Sequence, residues 1–283
     1  MKAGNSMSLR ARINNLAKTK GISPQLALQS FFAERFLARI EKSRYSKNLA
    51  LKGGTLMSVL FGLEQRTTMD IDATVVGMRA DETKIAEMVD AIASTDIGDG
   101  ILFLRSDSKP SSITKDDEYG GYTIGLTAIF GSIRLPIDID VTFGDVITPH
   151  PQLIKFSSFV DGTIPICLLA YTIETLIAEK LQTILKRGAG TTRPRDFYDL
   201  HMICKRGNYD RQILSNAVLA TFENRASMEI LANWREVVEA IKGSGFQRQQ
   251  WERYKKKVSY AANIAFDEVI SSLVGLLTAT SIK

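Results

Sequence analysis

The side chains that do most reactive chemistry are scarce in this sequence. Among 283 residues there are two cysteines, two histidines and two tryptophans. Cys167 and Cys204 stand apart, in no CxxC pair and no Cys/His cluster. That excludes a disulfide framework or a sequence-evident zinc site and leads us to expect a reduced, cytoplasmic protein. His150 and His201 form no triad or ligand cluster with residues near them in sequence, so both are read as structural. No serine sits in a supporting nucleophile motif, and there is no GxxxxGK[ST] phosphate loop. No apolar run approaches the roughly 20 residues that a helical membrane span needs, and the stretch 271–280 is too short. The first six residues lead into a polar helix rather than an apolar signal core.

What is present suits a globular chain with room for two compact units. Hydrophobic residues make up 45% and charged residues 24%, enough to bury a core. The net charge of +5 is unevenly spread. Residues 1–50 hold ten Lys/Arg against two acids, residues 51–179 hold nine against nineteen, and residues 180–260 hold sixteen against eight. An acidic middle between basic flanks suits a carboxylate metal site bracketed by phosphate-tolerant surfaces, although scattered solvated charge explains either flank alone.

Periodicity divides the chain. Residues 8–42 alternate apolar and basic positions at helical spacing, and Ser23-Pro24 supplies an N-cap followed by proline at the first helical position. A short strand over 48–52 breaks at Gly53-Gly54, and a short helix over 55–63 follows. The β-branched alternation of 70–76 predicts a strand. A helix over 82–93 comes next, then strands near 102–104, 122–130 and 135–141. After Pro149 the pattern predicts helices, at 172–187, 195–205, 211–222 and onward. The expected fold is α+β: a mixed sheet with flanking helices over 1–160, then a helical domain over 161–283.

The chemistry concentrates at Leu51-Lys52-Gly53-Gly54-Thr55 and, after fourteen intervening residues, at Asp70-Ile71-Asp72. Residues two apart on a strand share a face, so Asp70 and Asp72 are expected to project together. Neighbouring carboxylates repel unless a cation neutralises them, and Mg²⁺ is a hard ion that prefers oxygen and keeps positions open for phosphates. Gly53 and Gly54 let backbone N–H groups approach a nucleotide at a helix N-terminus, with the Thr55 hydroxyl beside them. Asp138 and Asp140 share a face on a later strand. Asp140 is the expected third acid and Asp138 a solvated charge.

Lys180 falls within the apolar stripe Ile173, Leu176, Ile177, Leu181 and Ile184 of its helix. A buried ammonium needs an anion, here a triphosphate or a carboxylate, unless its stem packs and its head reaches solvent. Asp196 and Asp199 share a face three residues apart, placed to pair with Lys180 or to orient an acceptor hydroxyl. Arg193 and Arg195 suit phosphate contacts or helix capping. Lys255-Lys256-Lys257 suits an RNA backbone or a solvated helix face.

In order, Leu51-Lys52-Gly53-Gly54-Thr55, Asp70-Ile71-Asp72, Asp140-Val141-x-x-Gly144-Asp145, Ala178-Glu179-Lys180 and Arg195-Asp196-x-x-Asp199 form a pattern. It resembles the AbiEii/MenT-like nucleotidyltransferase toxins of type IV toxin–antitoxin systems, over roughly residues 25–205. The resemblance implies a DNA polymerase β-like core with a helical C-terminal part. It places nucleotide binding on Gly53, Gly54, Thr55 and Lys180, metal binding on Asp70, Asp72 and Asp140, and catalysis on those acids with Lys180, Asp196 and Asp199. Gly54-Thr55 replaces the commoner Gly-Ser, and Thr68 stands where a serine often precedes the metal acids.

The implied activity is metal-dependent transfer of a nucleotide from an NTP to an acceptor, releasing pyrophosphate. Mg²⁺, or Mn²⁺, would bridge Asp70, Asp72 and the phosphates, and a second ion involving Asp140 would sit about 3.5–4 Å away. The implied acceptor is the 3′ end of tRNA, with growth inhibition as the outcome and a cognate antitoxin encoded nearby. No membrane partner is expected, and a monomer is the working expectation. The alternatives are transfer to a protein hydroxyl and an inactive fold that only binds nucleotide or RNA.

Overall fold

The computed structural model describes residues 6–106, 110–113, 120–158 and 165–282. The chain forms two compact units, Met1–Asp145 with Gln152–Ala170, and Val146–Pro151 with Tyr171–Lys283. The boundary expected at residues 160/161 falls outside the described residues. Among those described, no helix is long and apolar enough to cross a membrane.

The first unit opens with helices α1 (Ser6–Lys20) and α2 (Pro24–Lys42). The Ser23 side chain caps α2 by accepting from the Leu26 N–H, as the Ser-Pro signal predicts. Strand β1 (Leu49–Leu51) leads into α3 (Gly53–Phe61), and β2 (Ile71–Val75) into α4 (Glu82–Ala93), capped by Asp81. Then come β3 (Leu102–Arg105), β4 (Ser111–Ser112), β5 (Gly121–Phe130), β6 (Ile133–Thr142), β7 (Gln152–Ser157) and β8 (Pro165–Ala170).

These strands make one mixed sheet in the order β3-β5-β6-β2-β1-β8-β7, with β4 also on β5. Two pairings are parallel, β2 with β6 and β1 with β8; the rest are antiparallel. The helix-only expectation after Pro149 is thereby corrected. Strands β7 and β8 complete the sheet, and β8 lies directly against β1.

Strand alternation sorts the sheet's two faces. Ile137, Ile139 and Val141 of β6 are buried, on the side where α2 and α4 bring Phe31, Phe32, Phe36, Ile85, Val89 and Ile92 into the core. Phe36 meets Phe103 of β3 edge-on at 5.5 Å. Within this core Arg39 forms a forked pair with Asp99, at 2.9 and 2.7 Å, and donates to the Ile101 carbonyl. Asp138 and Asp140 project from the other face, Asp138 exposed and Asp140 half-buried.

The second unit is helical. It holds α5 (Ile173–Arg187), α6 (Pro194–Arg206), α7 (Arg211–Asn224), α8 (Met228–Ala232), α9 (Trp234–Gly243), α10 (Gly245–Lys257) and α11 (Phe266–Ala279). Helix α5 is its hub, packed by α6, α7, α8 and α9 through Leu176, Ile177, Leu181 and Ile184. His201 of α6 is buried, its Nδ1 2.8 Å from the Ser272 hydroxyl of α11.

Candidate active site

The geometry of the first unit's acids follows from strand register. In the parallel β2–β6 pair Asp72 stands opposite Asp140, so two carboxyl groups leave adjacent strands on one face. Asp70 precedes β2 by one residue and lies in a bend rather than in the strand. Among the described residues, no three His, Cys, Asp or Glu side chains are grouped to hold a metal ion by themselves. What register brings together is the Asp72–Asp140 pair.

The glycine turn sits against this pair. Gly54 N–H and Thr55 N–H donate to Asp72 Oδ2 at 2.8 and 3.2 Å, so Asp72 caps the N-terminus of α3 from another strand. The Thr55 hydroxyl donates to the Asp70 carbonyl at 3.0 Å and accepts from the Asp72 N–H at 2.8 Å. Thr55 is buried, and its hydroxyl acts as a clamp between α3 and the start of β2. The two glycines are required by close neighbours, Asp72 at Gly53 and Thr68 at Gly54. At Gly53, with φ +54°, a Cβ would lie 2.8 Å from Asp72 Cγ; at Gly54 it would lie 2.9 Å from the Thr68 hydroxyl.

Electrostatics mark Asp72 out. Asp72 is half-buried as a residue, but its carboxyl is turned inward among these donors. Burial pushes its pKa up and the charge of Asp140 pushes the same way, against the Thr55 N–H, Lys52 and Arg66. Asp140 accepts from the Thr123 hydroxyl of β5 at 2.6 Å. Beside the turn, Lys52 Nζ lies 2.7 Å from Asp145 Oδ2, which also accepts from Thr142. Burial opposes the charge on Asp145, but Lys52, helped by the Thr142 and Thr74 hydroxyls, holds the carboxyl down at about 2. Sequence reasoning quoted Lys52 and Asp145 in the pattern without giving them roles. It missed Arg66, a buried guanidinium in the loop before β2, and nothing in the local periodicity singles that residue out.

In the second unit Lys180, Asp196 and Asp199 do meet. Lys180 Nζ lies 2.8 Å from Asp196 Oδ1 and 2.7 Å from Asp199 Oδ2, and all three residues are buried. Arg193 Nε donates to Asp196 Oδ2 at 2.6 Å. Burial disfavours the Asp196 charge, but the Lys180 and Arg193 cations outweigh it and hold the carboxyl well below the usual range. Of the partners considered for Lys180, the carboxylates of Asp196 and Asp199 stand beside it here. Arg195 is exposed, and Lys255 pairs with Glu252 at the end of α10.

A mixed sheet carrying a carboxylate pair beside a glycine turn, with helices following, defines the nucleotidyltransferase class of fold. A crystal structure of an H. pylori protein assigned as a nucleotidyltransferase superposes with a TM-score of 0.50, covering 92% of this chain and 95% of that one at 15% identity. Two others are more distant. JHP933 from Helicobacter pylori gives 0.49 at 15% identity, covering 89% and 90% of the two chains. An antigenic nucleotidyltransferase-like protein from Paracoccidioides brasiliensis gives 0.38 at 14%, covering 76% and 92%. No curated protein matches the sequence.

The particular family follows from the sequence match. The model of the nucleotidyl transferase AbiEii toxin of type IV toxin–antitoxin systems matches residues 35–272, and the chain belongs to that family. It is a nucleotidyltransferase with a toxin's place in a toxin–antitoxin pair, which implies a cognate antitoxin.

Proposed function

We propose that this nucleotidyltransferase uses a divalent cation to move a nucleotide from an NTP to the 3′ end of tRNA. The observation that carries the reading is the register-matched pair Asp72–Asp140 beside the Gly53-Gly54 turn. Two carboxylates are held side by side although burial and the charge of Asp140 both raise the cost of charging Asp72. That arrangement fits Mg²⁺ or Mn²⁺, hard ions that take one or two carboxylates and complete their shell with phosphate oxygens and water. Asp72 and Asp140, with Asp70 from the preceding bend, are the residues we assign to the ion. When bound, it would neutralise charge on the phosphates and favour attack at the α-phosphorus.

The chain's own contribution is positioning. Gly53 and Gly54 leave room for Asp72 and Thr68 to pack against the start of α3, where the Gly54 and Thr55 N–H groups hold the Asp72 carboxyl in place. Thr55 fixes Asp72 and Asp70 to α3 through its hydroxyl, and Thr123 fixes Asp140. In the reaction the acceptor hydroxyl gives up its proton to water and its oxygen forms a bond to the α-phosphorus. The bond from that phosphorus to the bridging oxygen breaks, and pyrophosphate leaves with the electron pair. Orienting two reactants in this way supplies much of the acceleration in such transfers. On this reading Lys180, Asp196 and Asp199 serve the same reaction, with the lysine offsetting charge on the triphosphate.

The test is incubation with each of the four NTPs and a mixed pool of tRNA and protein, followed by RNA 3′-end sequencing and gel analysis of label. Added nucleotides on tRNA ends, absent with Asp72→Asn, are expected. Label confined to protein bands would replace the tRNA reading with a protein acceptor. Background turnover in both proteins would leave only a binding role.

A further inference from the structure

We infer that helix α1 is a docking track for the sugar–phosphate backbone of an RNA acceptor, formed by Arg10, Asn14 and Lys18. The inference rests on the RNA-acceptor reading above and adds where the acceptor lies.

Four observations carry it. First, α1 contains Arg10, Arg12, Lys18 and Lys20 and no acidic residue. Second, Arg10, Asn14 and Lys18 follow one another at intervals of four, one ridge of a helix, and all three are exposed. Arg10 and Lys18 make no ion pair among the described residues, and Asn15 adds a further exposed amide beside them. Arginine, lysine and side-chain amides are donors that proteins direct at phosphate oxygens. Eight residues of helix rise about 12 Å, the span of three or four phosphates along one strand.

Third, the apolar stripe of α1 is already used. Leu9, Ile13 and Ala17 are buried, and the helix packs on α2. A basic amphipathic helix bound to a bilayer needs that stripe for the acyl chains, so the charge pattern favours nucleic acid over a lipid surface. Fourth, α1 is tied at both ends to the unit that carries Asp72. The Ser6 hydroxyl lies 3.3 Å from that of Ser132 in the β5–β6 turn. Lys20 Nζ is 3.2 Å from Glu64, six residues before Asp70. The track therefore ends at the loop that enters the acid strand. Residues 1–34, α1 among them, lie outside the segment that the family model matches.

The experiment uses the full chain and the exposed double variant Arg10→Glu/Lys18→Glu, with Arg10→Ala/Lys18→Ala as the milder form. Binding of bulk tRNA is measured by fluorescence anisotropy from 50 to 300 mM NaCl, beside nucleotide transfer kinetics. Charge reversal should weaken tRNA binding at least tenfold at 100 mM NaCl. It should also flatten the plot of log affinity against log salt by roughly 1.4–1.8 units, about 0.7–0.9 for each of two lost phosphate contacts. The KM for tRNA should rise while kcat and the KM for NTP hold, and the alanine pair should show an intermediate effect. Unchanged affinity and salt slope in a wild type that does extend tRNA would overturn the α1 track alone. A wild type that neither binds nor extends tRNA would overturn the acceptor reading and the track with it. Equal loss of binding to vesicles of phosphatidylcholine with 30% phosphatidylserine would reassign the helix to a lipid surface.

Discussion

The Lys52 ammonium stands 2.7 Å from Asp145 Oδ2, joining the residue that opens α3 to the segment that leaves β6. Asp145 is almost fully buried, and Lys52 keeps 13% of its side chain exposed. Replacing Asp145 by Asn should destabilise the first unit by about 3 kcal/mol, since it removes the buried carboxylate that lies 2.7 Å from the ammonium. The pH dependence fixes the sign. The folded carboxyl titrates at about 2, below its ordinary 3.8, so its contribution is complete above 3.8 and disappears as pH falls through about 2. Urea unfolding of wild type and Asp145→Asn should therefore differ at pH 6 and converge between pH 4 and pH 2. A gap that stays constant over that range would show that the pair contributes nothing through its charge.

Asp140→Asn should separate stability from activity. Burial and the Asp140 charge both raise the Asp72 pKa, so the ionised pair costs folding energy without a cation. That cost is absent below the ordinary carboxylate range and grows as pH rises through the raised value. In divalent-free buffer at pH 7.5, Asp140→Asn should melt at the wild-type temperature or about 2–4 °C above it. Transfer should meanwhile fall by roughly a thousandfold or more. Activity within tenfold of wild type would remove Asp140 from the site.

Gly53→Ala probes the contact between the turn and Asp72. The new methyl would meet the Asp72 carboxyl at 2.8 Å from a backbone with φ +54°. A loss of roughly 1–3 kcal/mol is expected from the strained backbone alone. Displacement of Asp72 should lower kcat more than it raises the KM for NTP. Circular dichroism melts and steady-state kinetics on the same preparation check both. Wild-type values for the two would mean that the carboxylate has room to move aside.

Lys180→Met should be severe for two separable reasons. It leaves Asp196 and Asp199 buried without their shared cation, a cost of about 3–5 kcal/mol. Adding Asp196→Asn and Asp199→Asn should restore much of that stability, because the carboxylates are then neutral. If the three residues also serve the reaction, the triple variant should fold and still transfer no nucleotide. A folded triple variant with wild-type kcat would confine the cluster to a structural role.

The sequence made some elements plain and hid others, for reasons visible in the structure. Helix α4 was readable to its ends because Asp81 caps it and its apolar stripe is periodic. The Ser23-Pro24 start of α2 was equally direct. Strand β8 was missed because its run Ile166–Ala170 is apolar with no clear polar alternation, which fits a buried strand and a buried helix segment alike. Strand β7, whose partner among the described residues is β8, was missed with it. At the candidate site, spacing and pattern drew attention to Asp72, Asp140 and the glycines, which the fold sets beside one another. It could not show that Thr55 would tie two backbones together, or that Asp72 would cap α3. Those relations arise only when residues 17 or 18 apart are folded against each other.

The placement of β8 beside β1 imposes an order on synthesis. Leu49, Ala50 and Leu51 are all buried, and this strand's two neighbours are β2 and β8. While the ribosome adds the more than one hundred residues between Leu51 and Ala170, on the order of ten seconds of elongation, one rim of that strand has no partner. A nascent toxin chain therefore passes through an interval with a bare, greasy edge, where self-association or a chaperone competes with folding. Stop codons placed just before or just after β8 should yield chains that differ sharply in solubility.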